Sequence, residues 1–229
     1  MCQRAPVTNP KFPNWLRWAG VIWLAVWIPT YWRYWGAQNF VHLCDIAVIL
    51  TCAGLWWGNS LLLSSQAVSS IVVDLVWDLD AAWRFFSGHN LIGGTEYMWD
   101  AHYPLWVRLL SLFHIVWPIL LLWSLARVGY DRRGWLLQTA IAADAFVVAR
   151  STDPAININY AFRDPILHRA WGPGPVHIAL MWIGLVAVIY LPTHFILAKI
   201  FREPEGRGPN KDADPLPAAA SSSHDSSLR

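Results

Sequence analysis

Five side chains capable of chemistry lie in otherwise apolar stretches of this chain. Asp74 and Asp78 stand four residues apart in one stretch, His114 lies in another, and Cys44 and Asp45 are neighbours in a third. Residues four apart share a face when the stretch is helical. Ionisable side chains inside apolar helices are costly and usually functional. These five residues are therefore the candidate site.

Three chemistries fit the candidate site. Carboxylates and an imidazole can hold a divalent metal such as zinc, which activates water; the ligands would be Asp45, Asp74, Asp78 and His114. Alternatively, Cys44 with His114 as its base could attack an acyl group. A third possibility is a relay of Asp and His side chains that passes protons or ions through a small carrier. The candidate catalytic residues are thus His114, Cys44, Asp78 and Asp74.

Each candidate residue also has a structural interpretation. Asp74 and Asp78 could pair with arginines to fix the register of the helices, and His114 could be a hydrogen-bonded core residue. A free cysteine such as Cys44 is common in packed interiors. The spacing matches no fixed motif of the HExxH kind, so the sequence leaves these alternatives open.

Composition assigns the chain to the membrane proteins. Of its 229 residues, 55% are hydrophobic and only 14% are charged, and 17 are tryptophan; the mean hydropathy is +0.33. Such values are typical of polytopic membrane proteins, whose partner is the lipid bilayer. A net charge of +2 without a basic run excludes a nucleic-acid partner. The three cysteines include no CxxC pair, which argues against a disulfide framework or a thiolate zinc site.

Six apolar segments are close to the roughly 20 residues that cross a bilayer as a helix. They run over Trp15–Trp35, Phe40–Trp57, Leu61–Phe86, Leu105–Arg127, Trp135–Ser151 and Pro175–Phe201. The sequence therefore predicts an all-α fold, a transmembrane bundle of six spans. Residues 1–14 would form a cytoplasmic segment, 15–201 the helical domain, and 202–229 a disordered cytoplasmic tail rich in Pro, Ser and charge.

The orientation of the bundle follows from its arginines and lysines. They are more numerous on the side that holds both termini, and the run Tyr130–Arg133 is the strongest single marker. Cytoplasmic loops carry the excess of such residues. Both termini would then be cytoplasmic, and the candidate site would lie in the exoplasmic half of the membrane.

Several runs resemble a family of uncharacterised bacterial six-helix integral membrane proteins. These runs are Asn39–Leu50, Leu110–Trp123, VGYDRR, NINYAF and YLPTH. The resemblance implies a multi-pass protein of the bacterial inner (plasma) membrane.

A fainter similarity is to the YwaF-type and androgen-induced-gene-type membrane proteins. In those proteins a Cys or Thr paired with a membrane His is implicated in acyl transfer or lipid-ester hydrolysis. The residues that match are Asn39, Cys44 and His114. This similarity implies a membrane acyltransferase or hydrolase that acts on a lipophilic substrate.

Two classes of function therefore remain. The first is a lipid-directed hydrolase or acyltransferase with a polar site inside the membrane on the exoplasmic side. The alternative is a small proton- or ion-coupled carrier, or a structural or assembly subunit of a membrane complex.

Topology gives the first test. Reporter fusions after Arg133 and after Arg202 are expected to read cytoplasmic, and fusions near Ser87 and Asn159 exoplasmic, because of the charge distribution. Paired cytoplasmic and periplasmic reporters at each position measure this directly. The reverse pattern would move the candidate site to the cytoplasmic half.

Overall fold

The computed structural model describes residues 12–203, and in that range all regular secondary structure is helical, with no β-strand. This confirms the predicted all-α class. The predictions for residues 1–11 and 204–229 lie outside the described residues. Phe12, at the end of the predicted cytoplasmic segment, is buried, and its ring lies 5.7 Å from that of Trp123. The packed domain therefore begins before residue 15.

The helices follow the apolar segments of the sequence. They are α1 (Asn14–Trp35), α2 (Leu43–Trp57), α3 (Ser60–Ser87), α4 (Leu105–Leu109), α5 (Phe113–Val128), α6 (Gly134–Ala149), α7 (Gly174–Leu185) and α8 (Leu191–Ile200). A 3-10 turn over Leu110–Leu112 joins α4 to α5, and a π-helical stretch over Val186–Tyr190 joins α7 to α8. These junctions divide two of the predicted segments without interrupting their course.

Three of the continuous helices within residues 12–203 are long and apolar enough to cross a membrane. They are Ser60–Ser87, Leu105–Val128 and Gly174–Ile200. The helices α2 and α6 are apolar but shorter, with 15 and 16 residues. Several apolar helices thus support a membrane protein, and the count of six spans stays a prediction.

Helix α3 forms the centre of the fold. Every residue from Leu63 to Ser70 is buried, and α3 packs against α2, α5 and α6. Its start is fixed by the Asn59 side chain, which accepts the Leu62 N–H at 3.1 Å, as an N-cap does. Gly58, at φ 63°, ends α2 in the left-handed conformation that closes helices. The turn between α2 and α3 is therefore very short.

The loop between α3 and α4 is folded around a carboxylate. Asp80 accepts the backbone N–H groups of Leu91, Ile92 and Gly93 at 2.7, 2.6 and 3.1 Å, and the Thr95 hydroxyl also donates to it. Asp80 is 1% exposed. A buried carboxylate with four donors is well satisfied. Asp80 is thus a structural anchor of this loop.

The loop between α6 and α7 is anchored in a similar way. Asn159 accepts the Leu43 N–H at 3.0 Å and donates to the Val41 carbonyl at 2.8 Å, so it holds the start of α2. Asp164 accepts the Leu167 N–H at 2.6 Å. Backbone hydrogen bonds, that of Leu167 first, lower the pKa of Asp164 below its ordinary value. The two loops therefore have defined conformations.

The last described residues contact the α5–α6 loop. The Arg202 carbonyl accepts the Tyr130 N–H at 2.7 Å, and Glu203 lies 2.8 Å from the Arg132 guanidinium in an exposed ion pair. Residues 202 and 203, the first of the predicted disordered tail, thus contact the helical domain.

Close packing of α6 on α3 generates a prediction about stability. A Cβ atom on Gly134 would lie 2.7 Å from the Ser64 Cβ and 2.8 Å from the Ser64 carbonyl carbon, whereas one on Gly184 would meet nothing within 4 Å. Gly134→Ala should therefore destabilise the fold by about 1–3 kcal/mol, as overpacking does. Gly184→Ala is the matched control and should unfold at the wild-type temperature or above it. Thermal unfolding in detergent measures both, and equal melting temperatures would contradict the packing described.

Candidate functional site

A carboxyl group of α3 faces an imidazole of α5 in the interior. Asp74 Oδ1 lies 4.0 Å from His114 Nε2, and the two residues are 1% and 5% exposed. The residues belong to helices joined by a long loop, and antiparallel packing of α3 on α5 brings them together. Asp74 and His114 are therefore two candidate residues that the structure brings together from different helices.

The orientation of His114 fixes the place of its ring hydrogen. Nδ1 lies 2.7 Å from the Ser111 carbonyl oxygen. A carbonyl only accepts hydrogen bonds, so Nδ1 carries the hydrogen. The ring is stacked between Trp77 and Phe113, with centroids at 4.3 and 4.1 Å. Neutral His114 therefore presents the Nε2 lone pair to Asp74.

This geometry requires a proton. Asp74 Oδ1 is buried and has no hydrogen-bond partner. A carboxylate facing the lone pair of neutral His114 would leave two acceptors opposed in an apolar interior, which is strongly unfavourable. A proton on either group removes this conflict, giving a carboxylic acid beside an imidazole or a carboxylate beside an imidazolium. A pair in this arrangement can hold one proton.

Two tyrosines lie near Ser111, the residue whose carbonyl oxygen accepts the hydrogen bond of His114. The Tyr31 hydroxyl lies 2.7 Å from Ser111 Oγ, and the loop residue Tyr97 packs with its ring 5.9 Å from that of Trp35. Burial raises the pKa of Tyr97, and a hydrogen bond with the Ser111 side chain partly offsets that rise. The α3–α4 loop therefore contributes a neutral hydroxyl beside the site.

The second acid of the predicted pair lies one turn further along α3. Asp78 is half-buried, and its Oδ1 is also a buried oxygen without a hydrogen-bond partner. Side chains four apart on a helix are about 5–6 Å apart at Cβ. Asp78 therefore stands between Asp74 and the end of α3, and it is more accessible than Asp74.

The remaining candidates form a separate polar pair on α2. The Asn39 amide donates to Asp45 Oδ2 at 2.5 Å, and the Cys44 thiol lies 3.9 Å from Asp45 Oδ1. Cys44 is half-buried, and Asp45 is buried. The thiol is thus directed to Asp45, and no hydrogen bond joins it to His114 in the described part of the chain. The nucleophilic pair of Cys44 and His114 stays a prediction.

The predicted metal ligands do not gather into one coordination shell. Within residues 12–203, no group of three or more His, Cys, Asp or Glu side chains is placed to hold a metal ion. Asp74 and His114 are in contact, whereas Asp45 bonds to Asn39. The zinc hypothesis stays a prediction without support from this geometry.

A buried network of uncharged polar side chains was missed in the sequence. Gln138 of α6 donates to Ser69 Oγ at 2.8 Å and to the Tyr190 hydroxyl at 3.2 Å, and Gln66 donates to Gln138 at 3.3 Å. Its side chains are uncharged, so a search for ionisable residues does not find them. The signal was the polar run from Ser64 to Ser70 inside an apolar segment.

Comparisons with protein-family models, curated proteins and solved structures find no match to this chain. The resemblance to six-helix bacterial membrane proteins and to membrane hydrolases therefore stays a prediction. The roles of the residues rest on their geometry.

Stability measurements distinguish the functional acids from the structural one. Asp80→Asn should destabilise the fold by about 1–3 kcal/mol, because it removes a charge from a site with four donors. Asp74→Asn and Asp78→Asn change the same chemistry on the same helix, where a carboxyl oxygen lacks a donor. They should leave stability unchanged or raised, as neutralised site residues often do.

His114→Gln should behave like these two variants, and melting curves in detergent decide the question. Clear destabilisation by all three substitutions would assign Asp74, Asp78 and His114 to the scaffold.

Proposed function

We propose that this protein is a multi-pass protein of the bacterial inner membrane and a small proton carrier, in which Asp74 and His114 bind and release the proton. The observation that carries the proposal is the buried contact of Asp74 Oδ1 and His114 Nε2 at 4.0 Å, with Nδ1 committed to the Ser111 carbonyl. Intramembrane Asp and His residues mark proton relays in pumps and transporters.

A polar stripe along α3 supports a path for the proton. Buried polar side chains follow one another from near the start of the helix to Asp74; they are Ser64, Ser65, Gln66, Ser69, Ser70 and Asp74. Hydroxyl and amide groups in an interior provide partners for ordered water, through which protons move.

The polar stripe extends toward both ends of α3. At one end, Ser64 Oγ accepts the Asp131 N–H from the α5–α6 loop at 2.8 Å. At the other, half-buried Asp78 precedes the loop held by Asp80. In the proposed mechanism a proton enters through Asp78, is held between Asp74 and His114, and leaves along the serine and glutamine side chains.

Six crossings are part of this proposal. Helix α1 has 22 residues, which is sufficient for a bilayer of about 30 Å. Helix α2 is preceded by a 3-10 turn over Ala37–Val41 that extends its reach. The 16 residues of α6 extend about 24 Å. With both termini cytoplasmic, Asp78 would be on the exoplasmic side of Asp74.

The hydrolase or acyltransferase hypothesis receives less support from the geometry. A nucleophile needs a base within hydrogen-bond reach, whereas the Cys44 thiol contacts Asp45. The substitution Cys44→Ala distinguishes the two hypotheses, because it would abolish acyl transfer and leave proton movement unchanged.

Proton uptake into vesicles tests the carrier hypothesis. Wild-type protein in lipid vesicles that contain a pH-sensitive dye should acidify the lumen faster than protein-free vesicles after an external acid pulse, with valinomycin and potassium to compensate charge. Asp74→Asn and His114→Gln should reduce uptake to the protein-free rate, since each removes a group that holds the proton.

His194→Gln is the matched control for His114→Gln. This histidine bonds to the Tyr130 hydroxyl at 2.7 Å, away from the site, so its variant should acidify at the wild-type rate. Equal uptake by wild-type protein and Asp74→Asn would contradict the proposed function.

A further inference from the structure

One face of α6 lies outside the packed bundle. Gln138, Ala142, Ala145 and Ala149 point inward and are buried. The opposite face is exposed, and we call it the α6 outer face; its residues are Leu136, Ala140, Asp144, Val147 and Val148. All of them except Asp144 are apolar.

Asp144 is the unusual member of this face. It is exposed, and it makes no hydrogen bond or ion pair with any of the residues described. Apolar side chains flank it on both sides along the helix, at Ala140 and Val148. In the proposed topology the carboxyl group would therefore face the lipid, where such a group is costly unless it finds a hydrogen-bonding partner. Residues 12–203 of the monomer provide none.

We infer that the α6 outer face binds α6 of a second copy of this chain, with the two Asp144 carboxyl groups in contact. Leu136, Ala140, Asp144 and Val147 follow one another at spacings of four, four and three. This is the spacing of a right-handed helix pair. Ala140 is small enough to let the two backbones approach closely.

A second copy suits this face better than another polypeptide does. Two chains inserted in the same direction are related by a two-fold axis along the bilayer normal, so equivalent helices run parallel and each seam residue meets its own copy. A carboxyl pair that shares one proton is self-complementary, since one group donates its O–H and the other accepts. Asp144 is thus satisfied without a basic residue from elsewhere.

Energy transfer between donor- and acceptor-labelled chains in lipid vesicles tests the inference. Wild-type protein should show transfer that falls on dilution with lipid, as a reversible dimer does. Asp144→Leu should weaken the dimer about tenfold, the effect of losing one interhelical hydrogen bond in a membrane. Ala140→Trp should separate the helices and abolish transfer. Ile119→Trp is the matched control on an exposed position of α5 and should dimerise like wild type.

Reversal of the charge at Asp144 tests whether this residue lies in the contact between the two chains. Asp144→Lys alone should be monomeric, because two ammonium groups would meet, whereas a mixture of Asp144→Lys and wild type should pair more tightly than wild type alone. Melting curves confirm that each variant is folded. Wild-type protein that is monomeric at every dilution would overturn the inference, as would dimers unaffected by Asp144→Leu and Ala140→Trp. Mixtures with Asp144→Lys that do not pair would also overturn it.

Discussion

The interior of this protein depends on one electrostatic constraint, the burial of the Asp74 carboxyl beside the Nε2 lone pair of His114. Because Nδ1 is committed to the Ser111 carbonyl, the imidazole cannot rotate its hydrogen toward the acid. An unpaired buried charge costs far more than a surface one. A proton on either group removes the conflict between the two acceptors.

Two acids on α3 illustrate how the same residue type serves opposite purposes. Asp80 is surrounded by four donors from its own loop, so its charge is satisfied and its role is structural. Asp74, six residues earlier, has a buried oxygen without a donor. The difference lies in the backbone of a loop that folds back on Asp80. Exposure does not separate them, since both residues are almost completely buried.

The sequence predicted the helices well, and two of its candidate residues, Asp74 and His114, lie 4.0 Å apart in the structure. Apolar segments of about 20 residues located the helices to within a few residues, and the lone His114 and the Asp74/Asp78 spacing indicated a shared interior. The direction of the Cys44 thiol could not be predicted. Each residue rotates a helix by about 100°, so which neighbour a side chain meets depends on packing between helices. The folding of the loop around Asp80 likewise depends on tertiary contacts.

The aromatic rings around His114 leave the imidazole of the proposed proton site accessible only at its edge. Trp77 and Phe113 cover both faces of the imidazole, so water reaches the ring only at its edge, where Nε2 faces Asp74. In the proposed mechanism the proton therefore passes through the carboxyl group. The proposed routes lead from Asp74 to half-buried Asp78 and to buried Ser70, which lie four residues away in opposite directions along α3. A single acid that separates two routes is what a carrier requires, because a change in its contact with His114 can close one route as the other opens.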